Sequence, residues 1–187
     1  GPDAPSARMR RRFHVSDSVV DGRNVTVVAP RDKTAKRTIL YLHGGGFVMS
    51  ITSLHWLLIQ RLSHRLDAVG VVPDYPLAPE HSCVEVNDWL VRYYAQLVRS
   101  VDVDTLSVMG DSAGGHLSLA LLLQARDRGL PLPSSAVLFS PAVTGDYEHE
   151  HRKSKDKSDV MIALAGMEPI ARLFARDLDV NDPRISL

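Results

Sequence analysis

Apolar residues along this chain fall into two kinds of run. Thr38-Ile39-Leu40-Tyr41-Leu42, Ala68-Val69-Gly70-Val71-Val72, Leu106-Ser107-Val108-Met109 and Ala136-Val137-Leu138-Phe139 are short and without alternation, the pattern of strands buried on both faces. Leu54 to Leu66, Val84 to Arg99 and Gly114 to Arg128 instead repeat apolar side chains every three or four residues, which predicts helices with one buried stripe. Strand, helix, strand, helix is the order of parallel crossovers covered by helices on both faces. The fold class predicted is therefore α/β, a mostly parallel sheet. Upstream, Phe13 to Val20 and Asn24 to Ala29 flank Asp21-Gly22, a dipeptide suited to a tight turn, so the sheet is entered through an antiparallel hairpin.

The ends of the chain follow other patterns. Residues 1–9 are polar and turn-rich and lead into Arg8, Arg10, Arg11 and Arg12, which reads as a solvated basic arm. Gly145 to Ser158 is rich in His, Glu, Lys and Asp, the composition of an exposed loop. Asp159 to Leu178 reads as one or two short helices interrupted at Pro169, with an apolar stripe that covers a binding site or packs on the body. Residues 145–178 are thus a candidate cap on a single domain spanning 1–187, since no linker or internal repeat divides the chain.

Composition narrows the picture. With 187 residues and 44% apolar content, the chain can bury one core. Twenty-two basic and twenty-two acidic side chains cancel, which argues against nucleic acid or an anionic membrane as partner. The single cysteine, Cys83, cannot form an internal disulfide and reads as a small buried apolar residue. No apolar run approaches the roughly 18 residues of a membrane span, and Gly1 to Ser6 lacks a signal-peptide core. A soluble, cytoplasmic protein is expected. The Gly1-Pro2 start, without methionine, looks like a processing scar or a trimmed end.

Two motifs carry chemistry. Gly110-Asp111-Ser112-Ala113-Gly114 stands where a predicted strand meets a predicted helix. A nucleophilic serine needs such a sharp turn to stand clear of the sheet, and flanking glycines remove side chains that would collide there. His43-Gly44-Gly45-Gly46-Phe47 follows another strand. Its glycines let the main chain approach a substrate and turn N–H groups toward a developing oxyanion. Together, in this order, they point to acyl transfer through a serine. Of the histidines after Ser112, His116 is tied to its helix and reads as a packing or surface residue. His149 and His151 follow Asp146 in the charged loop, and no third ligand at suitable spacing makes that pair a metal site. His14, His55, His64 and His81 have no motif support.

These motifs, with Asp74-Tyr75-Pro76-Leu77-Ala78-Pro79-Glu80-His81, Arg126-Asp127-Arg128-Gly129-Leu130-Pro131, Ser140-Pro141 and Asp182-Pro183-Arg184-Ile185-Ser186, resemble the hormone-sensitive-lipase branch of the α/β-hydrolase esterases. The resemblance implies Ser112 as nucleophile and the N–H groups of Gly44, Gly45 and Ala113 as oxyanion hole. His43, Gly46, Gly110, Asp111 and Gly114 are motif support, and Leu77-Ala78-Pro79-Glu80 is structural support near the site. It implies short- to medium-chain acyl esters as substrates and no metal or organic cofactor. Pro76, Ser50 and Ser82-Cys83-Val84-Glu85-Val86 depart from the family pattern, which puts local packing and substrate preference in question more than the chemistry. The family's acid and base follow two further strands, expected beyond this chain's end, so that a C-terminal polypeptide would complete the site; a homo-oligomer is a further expected partner. Without a base, turnover would fall about 10⁶-fold on the serine-protease precedent. The strand Ala136 to Phe139 would then be an exposed apolar edge, an aggregation hazard. Two alternatives share these motifs: a hydrolase-fold binding protein without the base, as in plant gibberellin receptors, and an amidase such as a kynurenine formamidase.

Overall fold

A computed structural model describes residues 1–143, 164–179 and 181–187. The elements are α1 (Ala7–Arg12), β1 (Phe13–Val20), β2 (Arg23–Pro30), β3 (Arg37–Leu42), α2 (Ser53–Arg65), β4 (Ala68–Pro73), α3 (Cys83–Leu97), β5 (Leu106–Asp111), α4 (Ala113–Asp127), β6 (Ser135–Phe139) and α5 (Leu164–Ala175). The strands form one six-stranded sheet in the order β1-β2-β4-β3-β5-β6. β1 and β2 are antiparallel, as is the β2–β4 pair. β4, β3, β5 and β6 run parallel, as the continuous apolar runs predict.

Alternation along β3 shows how the sheet is covered. Ile39 and Tyr41 join the cluster built with Met9 of α1 and Trp56 and Ile59 of α2. Leu40 and Leu42 point the other way, into Leu90 and Tyr94 of α3 and Leu117 and Leu121 of α4. Successive side chains leave a strand on opposite faces, and here both faces are dry, so the sequence shows no alternation. α3 begins at a reciprocal cap, where Glu85 N–H donates to Ser82 Oγ at 3.4 Å and Ser82 N–H to Glu85 Oε2 at 2.7 Å.

Three expectations change. The N-terminal segment is not a solvated arm: Pro5 and Met9 are buried, and Asp3 is held by the Ile51 carbonyl, the Ser53 N–H and the Trp56 indole N–H at 3.0, 2.7 and 2.7 Å. Two apolar residues four apart suffice to dock the basic stretch as a helix. Pro169 does not interrupt α5, which runs through it. The missing N–H costs one helix bond, offset by burial of Ala171, Phe174 and Ala175. β6 is not covered on both faces, since Val137 and Phe139 are 38% and 39% exposed, and no described strand pairs with its outer edge. The predicted 145–158 loop and the 159–163 helix start lie outside the described residues.

Candidate active site

Ser112 sits between the end of β5 and the first turn of α4 with φ 51° and ψ −117°. That conformation costs a non-glycine residue about 1–3 kcal/mol and persists only where its surroundings impose it. They do so here: Ser112 N–H donates to the Phe139 carbonyl at 2.9 Å, and the Ser112 carbonyl accepts from Ala142 N–H at 3.2 Å. The glycines on either side permit close packing. A Cβ on Gly114 would strike the carbonyl oxygens of Leu42 and His43, and one on Gly110 would strike the Gly114 carbonyl. The end of β3 therefore lies directly on the start of α4, which brings the glycine loop beside Ser112. Among the described residues, Ser112 Oγ has no hydrogen-bond partner.

The loop turns through Gly45 (φ 124°), Gly46 (φ 60°) and Phe47 (φ 66°) and closes with Val48 and Met49 N–H on the Gly45 carbonyl. One sequence expectation fails at this point. Gly44 N–H is not free for an oxyanion, because it donates to Asp111 Oδ1 at 2.9 Å. The carboxylate beside Ser112 takes the amide and draws that peptide back against β5. Gly45, Gly46 and Ala113 N–H groups, like those of Phe47 and Gly114 in the same motifs, have no acceptor among the described residues.

Behind the loop lies a polar spine. Tyr41 Oη donates to Asp111 Oδ1 at 2.7 Å, and His55 Nε2 stands 3.4 Å from Oδ2. Thr52 N–H donates to His55 Nδ1 at 3.0 Å, so the neutral ring carries its proton on Nε2, facing Asp111. Burial pushes the Asp111 carboxyl up, but the hydrogen bonds from His55, Tyr41 and the Gly44 amide outweigh it and hold Asp111 below the usual carboxylate range. His43 is fully buried and stacks on Tyr75 at 4.5 Å. Its Nδ1 donates to the Gly44 carbonyl at 2.7 Å, while Tyr75 Oη donates to the His43 carbonyl at 2.6 Å. Burial pushes His43 down to about 4, so it is neutral near pH 7. Burial likewise raises Tyr41 and Tyr75.

Sequence reasoning missed Tyr41, His55 and Tyr75. His55 left a local trace in its place three residues after Thr52 at a helix start, and Tyr75 in the Asp74-to-His81 motif. It also missed the seating of α5 on the loop: Phe174 stacks on Phe47 at 3.9 Å, with His116 edge-on to both. Ile170 lies where a Cβ on Gly46 would meet it at 3.4 Å. Arg176 then ties the far end of α5 to the Pro79 and Glu80 carbonyls at 2.7 and 2.9 Å. His116 is buried, with Nδ1 2.8 Å from the Ala142 carbonyl and Nε2 3.2 Å from the Arg184 carbonyl. It is a packing residue and not a surface one. Cys83 is buried, and burial pushes its thiol up to about 11. Asp146, His149 and His151 lie outside the described residues. Among the described residues, no three His, Cys, Asp or Glu side chains are grouped to hold a metal ion.

A family model described as the alpha/beta hydrolase fold matches residues 39–187, the span that holds both the serine turn and the glycine loop. The chain belongs to the α/β-hydrolase fold family. It is 30% identical over 155 residues to an esterase of Acinetobacter venetianus, covering 82% of this chain and 51% of that protein. Esterase LipU of Mycobacterium tuberculosis is 32% identical over 149 residues, covering 79% and 50%. The crystal structure of an esterase/lipase from an uncultured bacterium superposes with TM-score 0.85 at 32% identity, covering 99% of this chain and 61% of that one. EstE7, a hormone-sensitive-lipase homologue from a metagenome library, gives 0.86 at 28%, covering 96% and 64%. The hydrolase chain described here spans about half the length of the curated relatives it matches. No described helix of this family member is long and apolar enough to cross a membrane.

Proposed function

We propose that this protein is a carboxylic ester hydrolase in which Ser112 attacks the acyl carbon and forms an acyl-enzyme. The N–H groups of Gly45, Gly46 and Ala113 are the donors for the tetrahedral oxyanion, with Gly44 replaced in that role by Gly46. Three main-chain donors fixed before reaction stabilise charge that develops only in the transition state. The observation that carries this reading is the strained Ser112 turn, pinned by Phe139 and Ala142, against a loop whose next two amides have no described acceptor. The base and acid that would activate Ser112 and then water are not among the described residues. Small acyl esters of short to medium chain length are the proposed substrates, on family resemblance and on the names of the relatives.

Fluorophosphonate labelling tests the nucleophile, and p-nitrophenyl acetate and butyrate test the reaction, on this chain and on one extended at its C-terminus. Labelling at Ser112 with ester turnover in the extended chain is expected. An extended chain that does neither would overturn the reading and favour a binding role for the same pocket.

A further inference from the structure

The basic stretch near the N-terminus acquires a place in the fold that composition alone conceals. Arg8 and Arg12, one turn apart on α1, and Arg61 and Arg65, one turn apart on α2, line a single cleft of about 400 Å³ together with Gln60 and His64. None of the four guanidinium groups has a hydrogen bond or ion pair with a described side chain. Two nearby cations are paired, Arg10 with Asp17 at 3.6 Å and Lys33 with Asp67 at 2.9 Å. Asp32 pairs with His64 of the lining at 3.2 Å, and no Asp or Glu lines the cleft itself. Like charges one turn apart repel within each helix, and here two such pairs face one cavity with no carboxylate between them.

Guanidinium groups present planar forks of donors that match phosphate oxygens two at a time, and converging forks select multiply charged oxyanions over chloride. Gln60 adds a neutral donor to the same wall. We propose that this cleft binds a phosphate-bearing anion, a diphosphate or phosphomonoester group, free in solution or as the head of a lipid. Leu57, 39% exposed on the rim, and Leu54, 74% exposed one turn earlier, make a lipid source a definite arm of the test. The proposal is independent of the ester chemistry at Ser112.

Inorganic diphosphate is the probe for the free source, titrated calorimetrically at fixed ionic strength. Vesicles of phosphatidylcholine with and without phosphatidic acid are the probe for the lipid. Saturable binding of either probe is expected, weakened about tenfold or more in an Arg61→Gln/Arg65→Gln variant. An Arg37→Gln/Arg99→Gln variant, which removes the same charge elsewhere on the surface, should bind nearly as the parent does. Co-sedimentation only with phosphatidic acid vesicles assigns the group to a lipid, and binding of diphosphate alone assigns it to a soluble ligand. The proposal is overturned if neither probe binds, or if both double variants bind equally.

Discussion

Gly44 N–H lies 2.9 Å from Asp111 Oδ1, so the residue before the candidate nucleophile holds the loop across from it. One carboxylate thereby fixes two otherwise separate pieces of chain, β5 and the glycine loop, while the following amides, Gly45 and Gly46, have no acceptor among the described residues. Asp111 acts through this positioning and need not touch substrate.

Replacing Asp111 with Ala strands the Gly44 N–H and the Tyr41 hydroxyl, and is expected to cost about 3 kcal/mol in urea unfolding. Asp111→Asn keeps one acceptor oxygen and is expected to cost about 1 kcal/mol. On ester substrates the Asn variant should lower kcat with little change in KM. An Ala variant as stable as the parent would refute the positioning role.

Glycines in different surroundings should respond with opposite sign. Gly114→Ala drives a methyl group into the Leu42 and His43 carbonyls and is expected to cost about 3 kcal/mol or prevent folding. Gly166 in α5 has nothing within 4 Å of an added Cβ and no positive φ, so Gly166→Ala should stabilise by about 0.4–1 kcal/mol. Thermal melts of the two variants in parallel decide the matter.

Strain at Ser112 gives a further test. Ser112→Gly, which tolerates φ 51°, should be about 1 kcal/mol more stable than Ser112→Ala, while both abolish fluorophosphonate labelling. Equal stability of the two variants would mean that the turn is not strained.

Stability should depend on pH through His43. The unfolded chain takes up this proton as pH falls through about 6.5, the folded chain only near 4, so the unfolded state binds more protons in between. Stability is therefore complete above about 6.5 and declines as pH falls toward 4, by roughly 3 kcal/mol for this residue. His116, also lowered by burial, adds in the same direction. A His43→Gln variant should flatten the slope between pH 4 and 6.5 in denaturant titrations, and an unchanged slope counts against the assignment.

The seating of α5 predicts substrate selectivity. Ile170 stands over Gly46, so Ile170→Ala should raise relative activity on longer acyl esters and Ile170→Trp lower it, each by about tenfold in kcat/KM ratio. Phe174→Ala removes the stack on Phe47 and should cost about 3–5 kcal/mol. An unaltered chain-length profile in both Ile170 variants would place that side chain outside the acyl path.

The sequence announces what is local and what is buried on both sides. β3, β4 and β5 are continuous apolar runs because two helical layers cover them. α2, α3 and α4 were legible to within two residues from their apolar spacing, whereas α1 read as a solvated arm and α5 as an interrupted stretch. β6 reads the same way but is exposed in the structure, since apolar content records a capacity for burial and not the partner. The Ser112 turn and glycine loop are contiguous motifs and so were visible. The Tyr41, His55 and Asp111 contacts join residues far apart in the chain, and no local pattern encodes them. The direction of one amide, Gly44, depended on such a contact and was misassigned for that reason.

The four arginines that line the cleft between α1 and α2 have a further consequence in a chain whose formal charges cancel. The remainder of the molecule must carry four more acidic than basic side chains. Zero net charge is therefore no sign of an even surface, since positive charge is concentrated at that cleft. Near a charged surface the protein should orient before it binds, and it should be retained by a cation exchanger even at the pH where its net charge is zero.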